Sequence, residues 1–252
     1  MSDFVQGVNV CSLLIFVDMN SSSPTTQPLI PVSAFDFLKL LKDNNNREWF
    51  HLHKDQYDAQ FVFIASFADG LLNELNTHDL IETPSGKKSL QRIYRDTRFS
   101  KEKIPYKSHW AGSFRRATTQ RRGGYYFHLE PGNTFIGGGF VAPNPQDLKR
   151  IRQDISADAN ALRIILASRS FVSTFGTLEG DQVKTTPKGF DANNEAIDLL
   201  RYKQFLLIKK FKDDEVLSPL FLSQVNEAYQ NMRPFFDYMS QVLTTDVNGL
   251  EL

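Results

Sequence analysis

The chain has 252 residues, of which 41% are hydrophobic and 23% are charged, and its formal net charge is zero. This composition is typical of a globular protein with a sizeable core, and the zero net charge argues against a general polyanion binder. The single cysteine, Cys11, excludes an intrachain disulfide and a cysteine-based metal site, and it favours a reducing, cytoplasmic location.

The N-terminal residues 1–32 differ in composition from the rest of the chain. The apolar stretch 8–17 is too short to cross a membrane as a helix, and no Lys or Arg precedes Lys39, as a signal peptide would require. Residues 19–31 are rich in Ser, Thr and Pro, which is typical of disorder. We predict a disordered extension over 1–32 and one domain over 33–252, with no membrane partner.

Two helices are predicted at the start of the domain. Ser33 is a suitable N-cap for a short helix, which the asparagines 44–46 end. A long helix follows over about 47–76, because apolar residues recur there at steps of three and four. This spacing indicates a helix with one face toward a core.

An antiparallel meander is predicted over about 89–140. Its strands are expected at 89–99, 124–130 and 134–140. A long basic connection over 101–122 joins the first two strands, and the turn residues 131–133 join the last two.

The remaining chain is predicted to add helices and a fourth strand. The helices are expected at about 146–168, 170–175, 191–201 and 218–243, with a kink at Pro234, and the strand at about 204–211. Helices that flank a central antiparallel sheet give an α+β fold in a single domain.

Residues 87–122, the basic block, hold most of the positive charge of the domain. They contain twelve Lys and Arg residues and two acidic residues, Asp96 and Glu102, while the rest of the chain is acidic. Cations at this density repel one another unless acidic groups of the fold or an anionic ligand neutralise them. The sequence leaves both explanations open.

A polar patch is expected where the first two predicted strands meet. Alternate residues of a strand share a face, which would bring together Arg92, Asp96, Arg98, Tyr126, His128 and Glu130. Arginine suits phosphate or carboxylate recognition, and a histidine near carboxylates suits acid–base chemistry. We therefore name His128, Asp96 and Glu130 as candidate catalytic residues. The alternative is a ladder of ion pairs that fixes the register of the sheet.

Further cations and aromatic rings of the basic block complete a candidate ligand site. Lys107 and Tyr106 lie in a loop where they suit an anion or a stacked base, although Tyr106 equally suits a structural anchor. The predicted ligand contacts are Arg92, Arg95, Arg98, Lys103, Tyr106, Lys107 and Tyr126. Metal binding by His128, Glu130 and Asp96 has little support, so no metal site is predicted, and no cofactor is indicated. Close sheet packing or a bulge explains Gly137-Gly138-Gly139 better than a phosphate loop.

Several short motifs of the chain resemble one conserved-hypothetical family, the domain of unknown function 2461. The motifs lie at 46–50, 94–100, 105–107, 126–132, 137–139 and 187–190. They occur in the family's order over about 33–243. The resemblance implies a single-domain protein without an established activity, and it supplies no catalytic residues.

Four functions follow from these patterns. The leading hypothesis is binding of an anionic ligand that is phosphorylated or nucleotide-like. The alternatives are a hydrolase or transferase that acts on such a ligand, a nucleic-acid-binding protein, and a scaffold whose charges are paired internally. Nucleic-acid binding predicts affinity that falls steeply with salt. The oligomeric state is not predicted.

Overall fold

The computed structural model of the protein describes residues 28–98, 103–245 and 250. The predicted disordered extension over 1–32 lies mostly outside these residues. Within its last part, Ile30 is buried in the core and the first helix begins at Val32. Ser33 lies inside that helix rather than capping it, and its hydroxyl donates to the side-chain oxygen of Gln60 at 2.9 Å.

Helices and strands of the described residues follow one another in a mixed order. The longer helices are α1 (Val32–Asp43), α2 (Arg47–Leu52), α3 (Lys54–Leu75), α5 (Pro145–Ala157), α6 (Asn160–Ala167), α7 (Arg169–Phe175) and α10 (Phe221–Thr244). The short helices are α4 (Gly86–Ser89), α8 (Ile197–Leu200) and α9 (Asp213–Val216). The strands are β1 (Trp110–Arg115), β2 (Gly124–Leu129), β3 (Thr134–Phe140) and β4 (Phe205–Phe211).

The four strands form one sheet in the order β1-β2-β3-β4, with every neighbouring pair antiparallel. The predicted fold class, α+β with a central antiparallel sheet flanked by helices, is confirmed. The strands predicted at 124–130, 134–140 and 204–211 correspond to β2, β3 and β4. None of the described helices combines the length and the apolar character that crossing a membrane requires.

The first predicted strand, at 89–99, is wrong. Ser89 ends α4, residues 90–98 form no named strand, and Phe99 lies outside the described residues. The first strand is instead β1, inside the segment predicted to be a connection. Its first three residues, 110–112, are all buried, and after them Phe114 is buried while Ser113 and Arg115 are exposed.

Residues 90–95, the edge segment, still run beside the chain that leads into β1. Three backbone hydrogen bonds hold them there without a continuous ladder: Gln91 N to Ala111 O at 2.8 Å, Arg95 N to Pro105 O at 2.9 Å, and Lys107 N to Ile93 O at 2.8 Å. The edge segment therefore approaches the border of the sheet while its side chains follow no strand alternation.

Local side-chain hydrogen bonds break three of the predicted helices. The helix predicted at 47–76 is two helices, because the Nδ1 atom of His53 lies 2.8 Å from the Trp49 carbonyl oxygen and its ring stacks on Trp49 at 4.0 Å. The helix predicted at 146–168 ends at Ala157, where the Asp158 carboxylate accepts from the Asn160 amide at 2.8 Å. Such short-range bonds compete with the helical ladder.

The helix predicted at 191–201 is reduced to α8 for the same reason. The carboxylate of Asp191 accepts from the Asn193 amide at 2.9 Å, and the side chain of Asn194 accepts from the Ala196 amide at 2.8 Å. These turns occupy the residues that were expected to begin the helix. In contrast, α10 runs through Pro234 without interruption.

Helices α3 and α10 cover one face of the sheet with aromatic side chains. Phe67 of α3 meets Phe127 of β2 edge-on at 5.9 Å, and Phe236 of α10 meets Tyr125 at 5.2 Å. All four rings are buried. The phenylalanine-rich composition thus supplies the layer between the helices and the sheet.

A buried carboxylate, Asp79, connects the end of β1 to the helices. It accepts hydrogen bonds from Arg116 Nε at 2.7 Å, from the Tyr125 hydroxyl at 2.7 Å and from Arg121 at 2.8 Å. Arg116 also donates to Asp237 of α10 at 2.6 Å, and the side chains of Arg116 and Asp79 are 1% and 0% exposed. Burial by itself raises the pKa of Asp79, but the hydrogen bonds from Tyr125 and Arg116 outweigh it and hold that pKa below its ordinary value.

We expect Asp79→Asn to lower the free energy of unfolding by about 3 kcal/mol, because it removes the charge that balances the buried Arg116. Urea denaturation followed by circular dichroism measures this loss. The matched control is Glu82→Gln, which breaks the exposed pair between Glu82 and Arg115 at 3.8 Å and should cost less than about 1 kcal/mol. Equal losses of unfolding free energy in Asp79→Asn and Glu82→Gln would contradict a larger contribution of the buried pair to stability.

The same pair predicts a pH dependence of stability. Because the folded-state pKa of Asp79 is depressed, the unfolded chain binds the proton first as the pH falls. The contribution of the carboxylate is complete above the unfolded pKa of about 3.9 and is lost as the pH falls through the folded value. The stability difference between wild type and Asp79→Asn should therefore stay constant down to about pH 4 and narrow only below it. A narrowing that begins near neutral pH would contradict this assignment.

Candidate functional site

The face of the sheet opposite α10, the open face, carries most of the polar residues of β1 and β2. The strand register places side chains of the four strands in rows across this face. One row contains Ser113, Tyr126, Gly137 and Ile208, and the next contains Ala111, His128, Phe135 and Lys210.

A groove of about 460 Å³ lies on the open face. Its walls include Tyr126, Phe135, Val141, Leu206 and Ile208. These side chains make the groove predominantly apolar, and the glycines of β3 leave room along its floor.

The glycines 137–139 serve the sheet in different ways. A Cβ atom at Gly137 would meet nothing closer than 3.4 Å, whereas one at Gly138 would lie 2.6 Å from the Phe236 ring and 2.7 Å from the Met232 sulfur. At Gly139, which has a φ of +126°, a Cβ atom would lie 2.1 Å from the Phe205 carbonyl oxygen. Close packing explains Gly138 and Gly139, while Gly137 lies on the open face.

Three side chains, the His–Glu cluster of His109, His128 and Glu130, meet beside this groove. His128 Nε2 lies 3.1 Å from a Glu130 oxygen, and the two histidine rings are 4.1 Å apart. The hydroxyl of Tyr126 lies 3.3 Å from His128 Nδ1, and Phe135 stacks on the His128 ring at 4.8 Å. The predicted residues Tyr126, His128 and Glu130 thus come together, with His109 added from the chain just before β1.

Hydrogen bonds from neighbouring loops orient the Glu130 carboxylate. Asn133 donates to one oxygen at 2.9 Å, and the Ser108 hydroxyl donates to the other at 3.3 Å. Burial raises the pKa of Glu130, but the hydrogen bonds from Asn133 and His128 outweigh it and lower the pKa below its ordinary value. The carboxylate is therefore ionised at neutral pH.

His109 carries a neutral imidazole at neutral pH. Burial, with smaller contributions from the neighbouring His128 and Lys107, lowers its pKa to about 4. A neutral ring has a lone pair available, so the His–Glu cluster combines a free imidazole nitrogen with a carboxylate.

Asp96, predicted as a second carboxylate of this site beside Glu130, is held elsewhere. Its carboxylate accepts from the Arg98 guanidinium at 2.6 Å and from the Arg98 amide at 3.1 Å, on the protein surface. The expected alignment of Arg92, Asp96 and Arg98 with His128 is wrong because their segment does not form a strand of the sheet.

A second cavity, the basic–aromatic pocket, lies between the edge segment and the start of α3. It measures about 480 Å³. Its lining residues are Arg47, Phe50, His51, Lys54, Tyr94, Arg95, Thr97, Pro105 and Tyr106. Within the described part of the chain, the lining therefore combines cations with aromatic rings and includes no carboxylate.

Stacked rings form the inner wall of this pocket. Phe50 and Tyr106 are buried and stack at 4.1 Å, while Tyr94 is 52% exposed and lies 5.5 Å from Tyr106. Among the described residues, Arg47 and Arg95 form no ion pair with a carboxylate, whereas Lys54 is paired with Asp58 at 2.7 Å. Two guanidinium groups thus lie beside a half-exposed aromatic ring.

The other predicted ligand contacts lie outside the basic–aromatic pocket. Arg92 lines a neighbouring cavity of about 290 Å³, and Lys103 donates to the Thr97 carbonyl at 2.8 Å. Lys107 donates to the Gln91 side chain at 2.7 Å, and burial, followed by the charge of Arg92, lowers its pKa. Only Arg95 and Tyr106 of the predicted set line the pocket. The sequence reasoning missed Arg47, His51 and Lys54, although the motif at 46–50 marked this region.

The C-terminal part of the basic block is neutralised within the fold. Arg116 and Arg121 bind Asp79, Arg122 pairs with Asp147, and Arg115 lies 3.8 Å from Glu82. Internal pairing, one of the two explanations for the block, therefore applies to these four arginines.

The family model described as "Conserved hypothetical protein (DUF2461)" matches residues 33–238. Because this match covers most of the chain, the protein belongs to that family, as the motifs indicated. No curated protein and no solved structure gives a significant match. The family assignment therefore supplies no activity.

Substitutions at the adjacent glycines Gly137 and Gly138 of β3 test whether another part of the chain packs on the open face. We expect Gly138→Ala to lower the free energy of unfolding by about 1–3 kcal/mol, because its methyl group overpacks the layer under α10. Gly137→Ala should change it by less than about 1 kcal/mol, since the methyl group enters the groove. Urea denaturation of both variants measures the difference. A larger loss for Gly137→Ala would indicate that another part of the chain covers the open face.

Proposed function

We propose that this member of the DUF2461 family binds a phosphorylated or nucleotide-like anion in the basic–aromatic pocket. One observation carries the proposal. Arg47 and Arg95 line a cavity of about 480 Å³ together with the half-exposed Tyr94, and none of the described residues that line it carries a carboxylate.

The charge of the pocket supports an anionic ligand. Arg47 and Arg95 come from different parts of the chain. Two positive charges that share a cavity without a counter-charge raise the electrostatic free energy of the folded protein. A phosphate between them lowers that energy, and planar guanidinium groups can donate two hydrogen bonds each to its oxygens. Lys54 and His51 add further donors at the same cavity.

The aromatic lining supports a ligand with a ring. Small-molecule sites commonly measure about 300–1,000 Å³, so the pocket has room for more than a free phosphate. Tyr94 presents its half-exposed ring at the cavity, and a nucleobase can stack on such a surface. We therefore favour a nucleotide-like ligand over inorganic phosphate.

A second candidate function is acid–base catalysis on such an anion at the His–Glu cluster. The 3.1 Å contact between His128 and Glu130, with the Tyr126 hydroxyl on the other ring nitrogen, favours it. In this hypothesis, the protein is a hydrolase or transferase in which Glu130 orients His128. Asp96 has no part in it, since its carboxylate is bonded to Arg98.

Nucleic-acid binding through the whole basic block receives less support. Arg115, Arg116, Arg121 and Arg122 are already paired with carboxylates of the fold, so they offer fewer charges to a phosphate backbone. A cytoplasmic location stays a prediction from the single cysteine, and it agrees with a nucleotide-like ligand.

Isothermal titration with pyrophosphate and ADP tests the proposal. We expect both to bind, and Arg95→Ala to weaken both about tenfold or more, because a hydrogen bond to a charged group contributes about 1.5–3 kcal/mol. Tyr94→Ala should weaken ADP but leave pyrophosphate unchanged, since only ADP has a base to stack.

Arg115→Ala is the matched control, because Arg115 belongs to the same basic block but lies outside the pocket. Equal weakening by Arg95→Ala and Arg115→Ala would overturn the pocket assignment in favour of diffuse electrostatic binding. A single-stranded oligonucleotide that binds more tightly than ADP, with a steep dependence on salt, would favour nucleic-acid binding instead.

A further inference from the structure

We propose that His109, His128 and Glu130 bind one divalent transition-metal ion, with Zn²⁺ as the best match, at the border of the open-face groove. The potential ligand atoms of these side chains all lie within 4.8 Å of one another. This site shares no residue with the described lining of the basic–aromatic pocket, so different variants test the two proposals.

The donor set has the composition of a known type of metal centre. Two imidazole nitrogens and one carboxylate oxygen suit Zn²⁺ and related ions, whereas Mg²⁺ and Ca²⁺ prefer oxygen ligands alone. Zinc sites that act in catalysis hold the ion with three protein ligands and leave the fourth position to water or substrate.

The distances fit this coordination with a small adjustment. Bonds of about 2.0–2.1 Å in a tetrahedral site place neighbouring donor atoms roughly 3.4 Å apart. His128 Nε2 and the Glu130 oxygen are already 3.1 Å apart, and the remaining ligand-atom separations do not exceed 4.8 Å. A modest rotation of the His109 side chain would bring the third nitrogen into range.

The sheet holds two of these ligands in place. His128 lies within β2, and Glu130 follows one residue after the end of that strand, so both side chains point to the open face. His109 immediately precedes β1, one step beyond the register pair of Trp110 and Leu129, which brings it opposite Glu130. Backbone pairing therefore positions all three side chains before any ion arrives.

Outer contacts orient the ligands as they do in metal centres. Without an ion, His128 Nε2 can donate to Glu130; with an ion bound at Nε2, the proton would lie on Nδ1 and could be donated to the Tyr126 hydroxyl. Asn133 donates to the Glu130 oxygen that faces His128, and Ser108 donates to the other oxygen. Such contacts fix the tautomer and the ring orientation of a histidine ligand.

The surroundings indicate what the fourth ligand would be. Tyr126 and Phe135 contact His128 and also line the groove, so a ligand in the groove would lie near the His–Glu cluster. One carboxylate leaves a divalent ion with an excess positive charge, and Lys107 and Arg95 add to the local positive potential at His109. An anionic group of a ligand would balance these charges.

Cobalt titration of the untagged, chelator-treated protein tests the metal site. We expect one Co²⁺ ion per chain, with the visible absorption of a low-coordinate nitrogen–oxygen site, and displacement of Co²⁺ by one equivalent of Zn²⁺. Glu130→Gln and His109→Gln should each lower the affinity for Co²⁺ by about 100-fold or more, since the loss of a direct ligand exceeds the 10–100-fold effect of an outer contact.

His51→Ala is the control, because this exposed histidine of α2 lies in the other pocket. It should leave cobalt binding unchanged. Thermal unfolding in the presence of chelator shows whether each variant is folded. If the His128→Ala variant unfolds cooperatively, its affinity for Co²⁺ provides a third test. If that variant does not fold, Glu130→Gln and His109→Gln still test the proposal.

Two results would overturn the proposal. One is the absence of stoichiometric Co²⁺ or Zn²⁺ binding to the wild-type protein. The other is equal affinity in wild type and in folded Glu130→Gln and His109→Gln variants, which would place any bound ion elsewhere. Either result would leave the cluster as a hydrogen-bonded histidine–carboxylate pair without a metal.

Discussion

The buried ion pair between Asp79 and Arg116 is the constraint on which the arrangement of the sheet depends. A charge removed from water must be matched, and Asp79 is matched by Arg116, Arg121 and the Tyr125 hydroxyl together. Since Arg116 also binds Asp237 of α10, the end of β1 cannot move independently of the helix layer. The result is a sheet with one face fixed against helices and the other face left open.

The basic block has two parts, which differ in how their charges are balanced. The C-terminal arginines 115, 116, 121 and 122 have carboxylate partners contributed by distant parts of the chain. The N-terminal part, 87–107, has eight basic residues and, within its own sequence, only Asp96 and Glu102. Internal pairing thus describes the C-terminal part and the pair of Arg98 with Asp96, whereas the anion site is proposed for Arg95 of the N-terminal part. The two explanations do not compete for the same residues.

The chain that leads into β1 contributes residues both to the basic–aromatic pocket and to the His–Glu cluster. Tyr106 and Pro105 line the pocket, while Ser108 and His109 reach the His–Glu cluster a few residues later. Lys107 lies between these positions in the sequence, and its charge contributes to the lowered pKa of His109. Arg95 of the pocket contributes to that lowered pKa as well, so an anion bound at Arg95 would change the electrostatic potential at the cluster. The edge segment and this short stretch connect both proposed sites.

Much of the fold could be predicted from patterns that act locally. The alternation in β2, β3 and β4 and the turn at 131–133 specify the antiparallel pairing, and the same alternation placed Tyr126, His128 and Glu130 on one face. β1 escaped prediction because its small residues, Gly112 and Ser113, weaken the strand pattern inside a basic segment. The helix breaks depended on single side-chain hydrogen bonds, such as that of His53.

The site residues that the sequence analysis did not predict were missed for a different reason. His109 joins the His–Glu cluster only through the register of β1 with β2, and Arg47 approaches Arg95 only because α2 packs beside the edge segment. Neither relation has a local sequence signal, since both depend on contacts between segments that are far apart in the chain. Charge counting could identify the basic block, but the choice of partner for each cation required the tertiary structure.

The most direct test of the anion site is a crystal structure of the protein soaked in tungstate, whose anomalous scattering locates the anion without reference to its shape. The proposed function predicts an anomalous peak between the guanidinium groups of Arg47 and Arg95, close to the Tyr94 ring. A structure in which a carboxylate of the same chain lies against both guanidinium groups, with no peak in the pocket, would contradict it. Internal pairing would then describe this part of the basic block as well.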